Sequence, residues 1–377
     1  MRIVLSGGGT GGHITPILAV VKALEQTRPK PTLYWLGEKN PLTDEMLTLS
    51  NLKLNYIMAG KFRRYHNEAW WRQLKDIKSM LLNLRDVFKL AIGIFQSLYR
   101  LIKIKPQAVF IKGGYVGLPV GIAAWILGKP IIIHESDARA GLTNRLLARV
   151  ARIITTGWPT QYYPRWRGRN VIFTGNPMRA ELLHAKLSQA RAFFKLEQDL
   201  PTLLVVGGSS GARRINQAVV DQLSKWLRTF QIIHISGGRD WQQLSQQVTE
   251  MTLAHRQRYH AYDFLAEEMG LAYAAADVVI CRAGMNTITE LANLKKPAVV
   301  IPHPQLTGAH QLRNAEVLET EQAAIVLQQD RLEEDLYDAA VELLRSKDQQ
   351  ALLKKGLAKL ARPQAAEKLA ELTVSLA

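Results

Sequence analysis

Two glycine turns, each set between an apolar run and a helix-like stretch, constrain this chain more than any other feature. The first is GGGTGGHITP at residues 7–16, after Ile3-Val4-Leu5. The second is GGSSGARR at residues 207–214, after Thr202-Leu203-Leu204-Val205-Val206. Strand, tight glycine turn and helix, in that order, open a Rossmann-like unit. The backbone N–H groups of such a turn, at a helix N-terminus, are suited to phosphate. One opening in each half of a 377-residue chain implies two units of the same design.

The rest of the pattern agrees. Short apolar runs predict strands at 2–6, 32–36, 54–58, 107–111, 130–134 and 152–155 in the first half. The second half has candidates at 170–174, 202–206, 231–235, 277–281, 297–301 and 324–327. Helical patterns separate most of them, and that alternation gives doubly wound parallel sheets. Runs such as Ile131-Ile132-Ile133 suit strands buried on both faces. Pro159, Pro164 and Gly168 punctuate a polar, aromatic stretch at 157–170. We therefore place an N-terminal Rossmann-like domain at 1–162 and a C-terminal one at 163–359, with the C-terminal helix 360–377 packing back on the first. Ligands of such sheets bind outside the carboxyl ends of the strands, so the expected site is a cleft between the domains.

Gly7, Gly9 and Gly12 also satisfy G-x-G-x-x-G, the dinucleotide fingerprint, which keeps a nucleotide-dependent oxidoreductase in view. That reading needs one glycine loop and an acid about twenty residues on, for the ribose. Glu38 is the available candidate. Two phosphate-type loops, the first closed by His13, fit two phosphate-bearing ligands, or one ligand held from both sides, better.

Residues 61–105 stand apart. They hold eleven lysines and arginines against Glu68, Asp76 and Asp86, a large share of the formal net charge of +17. Leu74, Ile77, Leu81, Leu84 and Phe88 keep helical spacing and could pack on a sheet. Trp70, Trp71, Met80, Ile94 and Leu101 fall off that stripe, so more than one face is apolar. The longest charge-free apolar stretch, Leu90 to Tyr99, is too short to cross a bilayer. The segment reads as a surface for an anionic membrane. The competing reading is a crossover helix with solvated lysines. No nucleic-acid motif accompanies the charge. Cys281 is the sole cysteine, which excludes an intramolecular disulfide. The N-terminus does not read as a signal peptide. The histidines form neither H-x-x-x-H nor H-E-x-x-H, so no metal site is expected.

The remaining motifs are GGYVGLPVGIAAWILGKPIIIHESD at 113–137, GLTN at 141–144, TGNPMR at 174–179, ICRAGMNTITELANLKKPAVVIP at 280–302 and HQLRNA at 310–315. Together with the two glycine turns, from end to end and in order, the chain resembles the MurG family. The resemblance implies the GT-B architecture: two Rossmann-like doubly wound parallel-sheet domains. It implies inverting transfer of GlcNAc from UDP-GlcNAc to the 4-hydroxyl of MurNAc in lipid I, forming lipid II for peptidoglycan, without a cofactor. It also implies a peripheral place on the cytoplasmic face of the cell membrane, beside other cell-wall synthesis proteins.

By the same resemblance, Thr10, Gly11, Gly12, Tyr115 and Asn144 serve the acceptor. His13, Glu135 and Asp137 are rival candidates for the base. An imidazole suits that role because its ordinary pKa is near neutral. Many relatives have Asn at the position of Asp137. Arg179, Gly208, Ser209, Glu290, His310 and Gln311 would hold UDP-GlcNAc: the turn and Arg179 at the phosphates, Glu290 at the ribose hydroxyls, His310 and Gln311 at the sugar. Other readings that the two-loop pattern permits are a GT-B transferase with a different acceptor and a catalytically silent membrane scaffold.

Overall fold

The computed structural model describes residues 1–8, 11–48, 50–61, 77–208, 211–304 and 309–377, apart from the side chains of His13, Pro41, Leu42, Thr43, Met46, Ile77, Lys78, Glu250 and Ala254. Two compact units divide the chain. One comprises Met1–Met178 with Thr307–His310 and Arg362–Ala377. The other comprises Arg179–Leu306 with Gln311–Ala361.

The first unit is built on a seven-stranded parallel sheet of β1 (Arg2–Ser6), β2 (Thr32–Gly37), β3 (Lys53–Tyr56), β4 (Ala108–Ile111), β5 (Ile131–Glu135), β6 (Ile153–Thr156) and β7 (Val171–Phe173). Their order is β3-β2-β1-β4-β5-β6-β7. Ile3 lies beside Leu33 on one side and Ala108 on the other. The central strands are buried along their whole length. That is why Ala108–Ile111 and the start of β5, Ile131-Ile132-Ile133, are apolar runs rather than alternations. The helix Gly11–Gln26 covers one face through Ile14, Ile17, Val21 and Leu24. The helix Ala365–Ser375 adds Ala366, Leu369 and Ala370 to the same core.

The apolar run 170–174, assigned by pattern to the second half, belongs instead to this sheet. Its register on β6 sets Val171 beside Ile154 and Phe173 beside Thr156. The strand completes the first sheet's edge before the chain leaves it.

The second unit has six parallel strands: β8 (Thr202–Val206), β9 (Gln231–Ile235), β10 (Tyr259–Tyr262), β11 (Val278–Arg282), β12 (Ala298–Ile301) and β13 (Ile325–Val326). They are ordered β10-β9-β8-β11-β12-β13. Leu203, Val205, Ile215, Trp226, Phe230 and Leu336 lie in its core. In each sheet the strand order reverses beside the first strand, between β1 and β4 and again between β8 and β11. The carboxyl ends at such a reversal leave a crevice for ligands. Gly7 and Gly8 follow β1 there, and Gly207 and Gly208 follow β8.

The helix Ile77–Ile104 does not turn its regular stripe to the sheet. Leu81, Leu84 and Phe88, whose spacing allowed packing there, are 56–63% exposed. Asp86, Gly93, Ser97, Leu101 and Ile104 face inward instead. Small residues on that seam allow close approach. A Cβ on Gly93 would stand 2.1 Å from the Met58 carbonyl oxygen. Leu74, Trp70 and Trp71 lie outside the described residues. Among the described residues no helix is long and apolar enough to cross a membrane.

Candidate functional site

In the first unit the β1 and β4 turns meet closely. A Cβ on Gly114 would stand 2.5 Å from the Gly8 carbonyl oxygen, and Gly114 itself has φ +74°. Only glycine meets both demands. Beside this contact, β5 ends in His134-Glu135-Ser136-Asp137. Glu135 is buried. Its Oε1 accepts from the Asp137 N–H at 3.1 Å, and its Oε2 accepts from the Gly141 N–H and from Asn144 Nδ2, both at 2.9 Å. Asn144 Nδ2 also donates to the His134 carbonyl. Burial raises the Glu135 carboxyl above its ordinary pKa, and the Asp137 charge raises it further. The hydrogen bonds from Asn144, Gly141 and Asp137 oppose that shift.

Asp137 is more open, its side chain 27% exposed. Its carbonyl accepts from the Tyr163 hydroxyl at 2.8 Å, and Oδ2 lies 3.6 Å from Nδ1 of His310. Thus His310, expected at the donor sugar, groups with the first unit and stands beside Asp137. The Tyr115 hydroxyl donates to Glu38 Oε2 at 2.6 Å, and burial raises its pKa. Glu38, the ribose candidate of the dinucleotide reading, is thereby engaged. The Gly11–Gln26 helix begins at Gly11 and carries Gly12 and the backbone of His13. Thr10 and the His13 side chain lie outside the described residues.

Sequence reasoning missed Lys112. It sits at the end of β4, 2% exposed, and Nζ donates to Ser136 Oγ. Ser136 Oγ in turn donates to Asn176 Oδ1 at 2.7 Å. Burial lowers the lysine to about 8, while the charges of Asp137 and Glu135 act in the opposite direction. A charge at the end of the apolar run Ala-Val-Phe-Ile was the available signal.

The second unit gathers the donor candidates differently. Gly207 and Gly208 close the turn after β8, and Ser209 lies outside the described residues. Asn216, on the helix after the turn, ties it to the segment after β9: its Nδ2 donates to the Ser236 carbonyl at 3.0 Å and to Asp240 Oδ2 at 2.7 Å. Glu290 projects from the helix Met285–Leu294 after β11 and accepts from the Tyr273 hydroxyl at 2.7 Å. Burial raises its carboxyl, opposed by that hydrogen bond and by the charge of Arg179. Arg179 Nη1 is anchored on the Ala266 carbonyl at 2.7 Å. Gln311 Oε1 accepts from the His303 N–H at 2.9 Å, and the buried Asn314 donates to the Ala283 carbonyl at 3.1 Å. The structure thus brings Arg179 near Glu290, while His310 and Gln311, neighbours in sequence, have partners in different units. Among the described residues no cluster of His, Cys, Asp and Glu could hold a metal ion.

Two doubly wound parallel sheets, each with its strand order reversing beside the first strand, define the GT-B architecture. The comparisons agree. The glycosyltransferase family 28 N-terminal domain matches residues 3–156 and the family 28 C-terminal domain matches residues 202–369. A Clostridium kluyveri protein is 36% identical over 87% of both chains. A Coxiella burnetii protein is 35% identical over 98% of this chain and 96% of its own. Both are named UDP-N-acetylglucosamine–N-acetylmuramyl-(pentapeptide) pyrophosphoryl-undecaprenol N-acetylglucosamine transferase. The crystal structure of Acinetobacter baumannii MurG superposes with a TM-score of 0.71 over 99% of both chains, at 25% identity. The chain belongs to glycosyltransferase family 28 and, within it, to the MurG family.

Proposed function

We propose that this protein transfers N-acetylglucosamine from UDP-GlcNAc to the 4-hydroxyl of the N-acetylmuramyl group of lipid I, forming lipid II and releasing UDP. The acceptor oxygen forms the new bond to the anomeric carbon as the bond to the diphosphate breaks, and the hydroxyl proton passes to a base. The observation that carries this reading is the full-length kinship with transferases named for this reaction. The test is direct. The protein is incubated with UDP-GlcNAc and a short-chain lipid I analogue, and the disaccharide product is sought by mass spectrometry. A pure, folded protein that binds UDP and yields no disaccharide overturns the proposal.

The second unit holds the donor. Glu290, already oriented by Tyr273, accepts the ribose hydroxyls. Arg179 and the amides of Gly208 and Ser209 compensate the charge that grows on the leaving diphosphate. Gln311 faces the sugar. Thr10, Gly11, Gly12, Tyr115 and Asn144 serve the acceptor on the first unit. Three of Glu135's lone-pair positions are engaged by protein donors, so it organises the loop to Gly141. His13 and Asp137 are left as the candidates for the base.

A membrane surface is the partner that the helix Ile77–Ile104 fits. Leu81, Leu84, Phe88, Ile92, Phe95, Tyr99 and Ile102 follow one another at steps of three and four and are all 45–73% exposed. A helix that shows its large apolar side chains and buries small and polar ones is built for an apolar neighbour. Arg85, Lys89, Arg100 and Lys103 accompany the stripe, and Lys103 Nζ lies 4.4 Å from the Tyr99 ring centroid. Apolar groups flanked by cations match the acyl boundary and headgroups of an anionic bilayer. Docking there brings the acceptor unit to its polyprenyl-linked substrate on the cytoplasmic face.

A further inference from the structure

A recess of 360 Å³ in the first unit is lined by Leu142, Arg145, Leu146, Ala148, Arg149, Arg165, Trp166 and Arg169. We infer that this recess is a binding site for a phosphate-bearing organic anion. Its lining contains four arginines and no carboxylate.

Three successive chain segments converge to make it. Arg145 lies on the helix Leu142–Leu147, and Arg149 follows four residues later on the same side. Arg165 and Trp166 come from the 3-10 turn Pro164–Trp166. Arg169 precedes β7 and has a structural duty of its own. Its Nη1 donates to the carbonyls of Ala148 at 2.8 Å and Arg149 at 3.3 Å, where the helix ends. Cations are favoured at that end of a helix, so Arg169 is explained by the fold and forms a fixed wall. No such duty accounts for placing Arg149 and Arg165 beside it, where like charges repel.

The floor is apolar and rigid. Trp166 is 5% exposed and stacks on Tyr163 at 5.1 Å, with 7° between the rings. Tyr163 is itself held by its bond to the Asp137 carbonyl. Leu146 stands at the rim, 38% exposed. Guanidinium groups match phosphate oxygens with paired donors. A flat indole beneath them accepts the carbon portion of an ester. The shared chemistry is therefore a phosphate ester, whether from a lipid headgroup or from a soluble metabolite. None of the described glycine-turn residues lines the recess.

The full-length protein, with excess UDP present, is titrated calorimetrically with inorganic phosphate and separately with dihexanoyl phosphatidylglycerol below its micelle concentration. Saturable binding of at least one probe is expected, weakened tenfold or more in Arg149→Gln/Arg165→Gln with an unchanged melting temperature. Arg165→Gln alone keeps the test open if the double variant does not fold, and should weaken binding at least threefold. Tighter binding of the lipid, lost in Leu146→Ser, supports the site and identifies a headgroup. Equal affinity for both probes supports it and identifies a soluble phosphate. No saturable binding of either probe, or equal affinity in parent and folded variants, overturns the inference.

Discussion

Tyr273 donates its hydroxyl hydrogen to Glu290 Oε2 at 2.7 Å, across two helices of the second unit. The bond favours the ionised carboxylate against the burial that raises its pKa. It also leaves Oε1 to meet a ligand. Removing the carboxylate in Glu290→Ala should weaken UDP-GlcNAc binding by about 1.5–3 kcal/mol, the worth of hydrogen bonds to a charged group. Acceptor affinity should be unchanged. Tyr273→Phe tests the orienting bond. It raises the Glu290 pKa further, so the loss of donor affinity on acidification should begin at higher pH than in the parent. Donor KM measured against pH with a soluble acceptor checks both variants. An unaltered donor KM in Glu290→Ala removes Glu290 from the ribose.

The base is separable by two substitutions. His13→Ala should lower kcat by about 10²–10⁴ if the imidazole takes the proton in the transition state. Asp137→Asn keeps the shape and removes the charge. It should then cost far less, because Asp137 would only orient its neighbours. The opposite ranking, at unchanged donor KM, moves the base to Asp137. Glu135→Gln should instead lower stability, because the amide cannot accept all three N–H donors that now converge on the carboxylate. Thermal denaturation distinguishes that loss from a loss of turnover.

Much of the fold is legible in the apolar runs, and the reasons for the exceptions are physical. Buried parallel strands such as Ala108–Ile111 are apolar on both faces, so they announce themselves. Tyr259–Tyr262 does not. It is an edge strand with a polar histidine and two hydroxyl tips, and Tyr259 earns its burial through a 2.7 Å bond to His234 Nδ1. The helix Ile77–Ile104 shows the limit of periodicity. Spacing reveals a stripe, but packing decides which stripe faces inward, and Gly93 and Ser97 won that contest over Leu84 and Phe88. At the site, motif order picked out Glu135, Asp137, Asn144 and Glu290. Lys112 and Tyr273 were not legible because their partners, Ser136 and Glu290, are brought to them only by tertiary packing.

The exposed stripe makes its own prediction. Leu84→Ser, Phe88→Ser and Phe95→Ser together should leave the melting temperature unchanged or slightly raised, because these side chains are more than half exposed. Burying each in a membrane contributes about 1.5–3 kcal/mol if burial is complete. The triple variant should therefore lose most of its binding to vesicles containing phosphatidylglycerol. Activity on a water-soluble acceptor should persist, while activity on vesicle-embedded acceptor falls. Equal sedimentation of parent and variant with the vesicles would assign the stripe to another partner.

Lys112 gives a prediction in which the sign is decisive. Its pKa falls from 10.5 to about 8 on folding, so between those values the unfolded chain binds the extra proton and the folded chain does not. Stability rises with pH wherever the unfolded state binds more protons. The lysine's contribution is therefore at its least favourable below pH 8, improves through the window from about 8 to about 10.5, and levels off above it. The full change is worth about 3 kcal/mol at 1.36 kcal/mol for each pKa unit. Lys112→Met removes this titration while keeping most of the volume. Urea denaturation of parent and variant at successive pH values isolates it, because the other titrating lysines and tyrosines cancel in the difference. The parent should gain on the variant as pH rises from 8 to 10. A difference independent of pH would mean that Lys112 is not buried as an ammonium. Below pH 8 the same variant should weaken activity through Asp137, whose counter-charge it removes, with kcat changing more than donor KM.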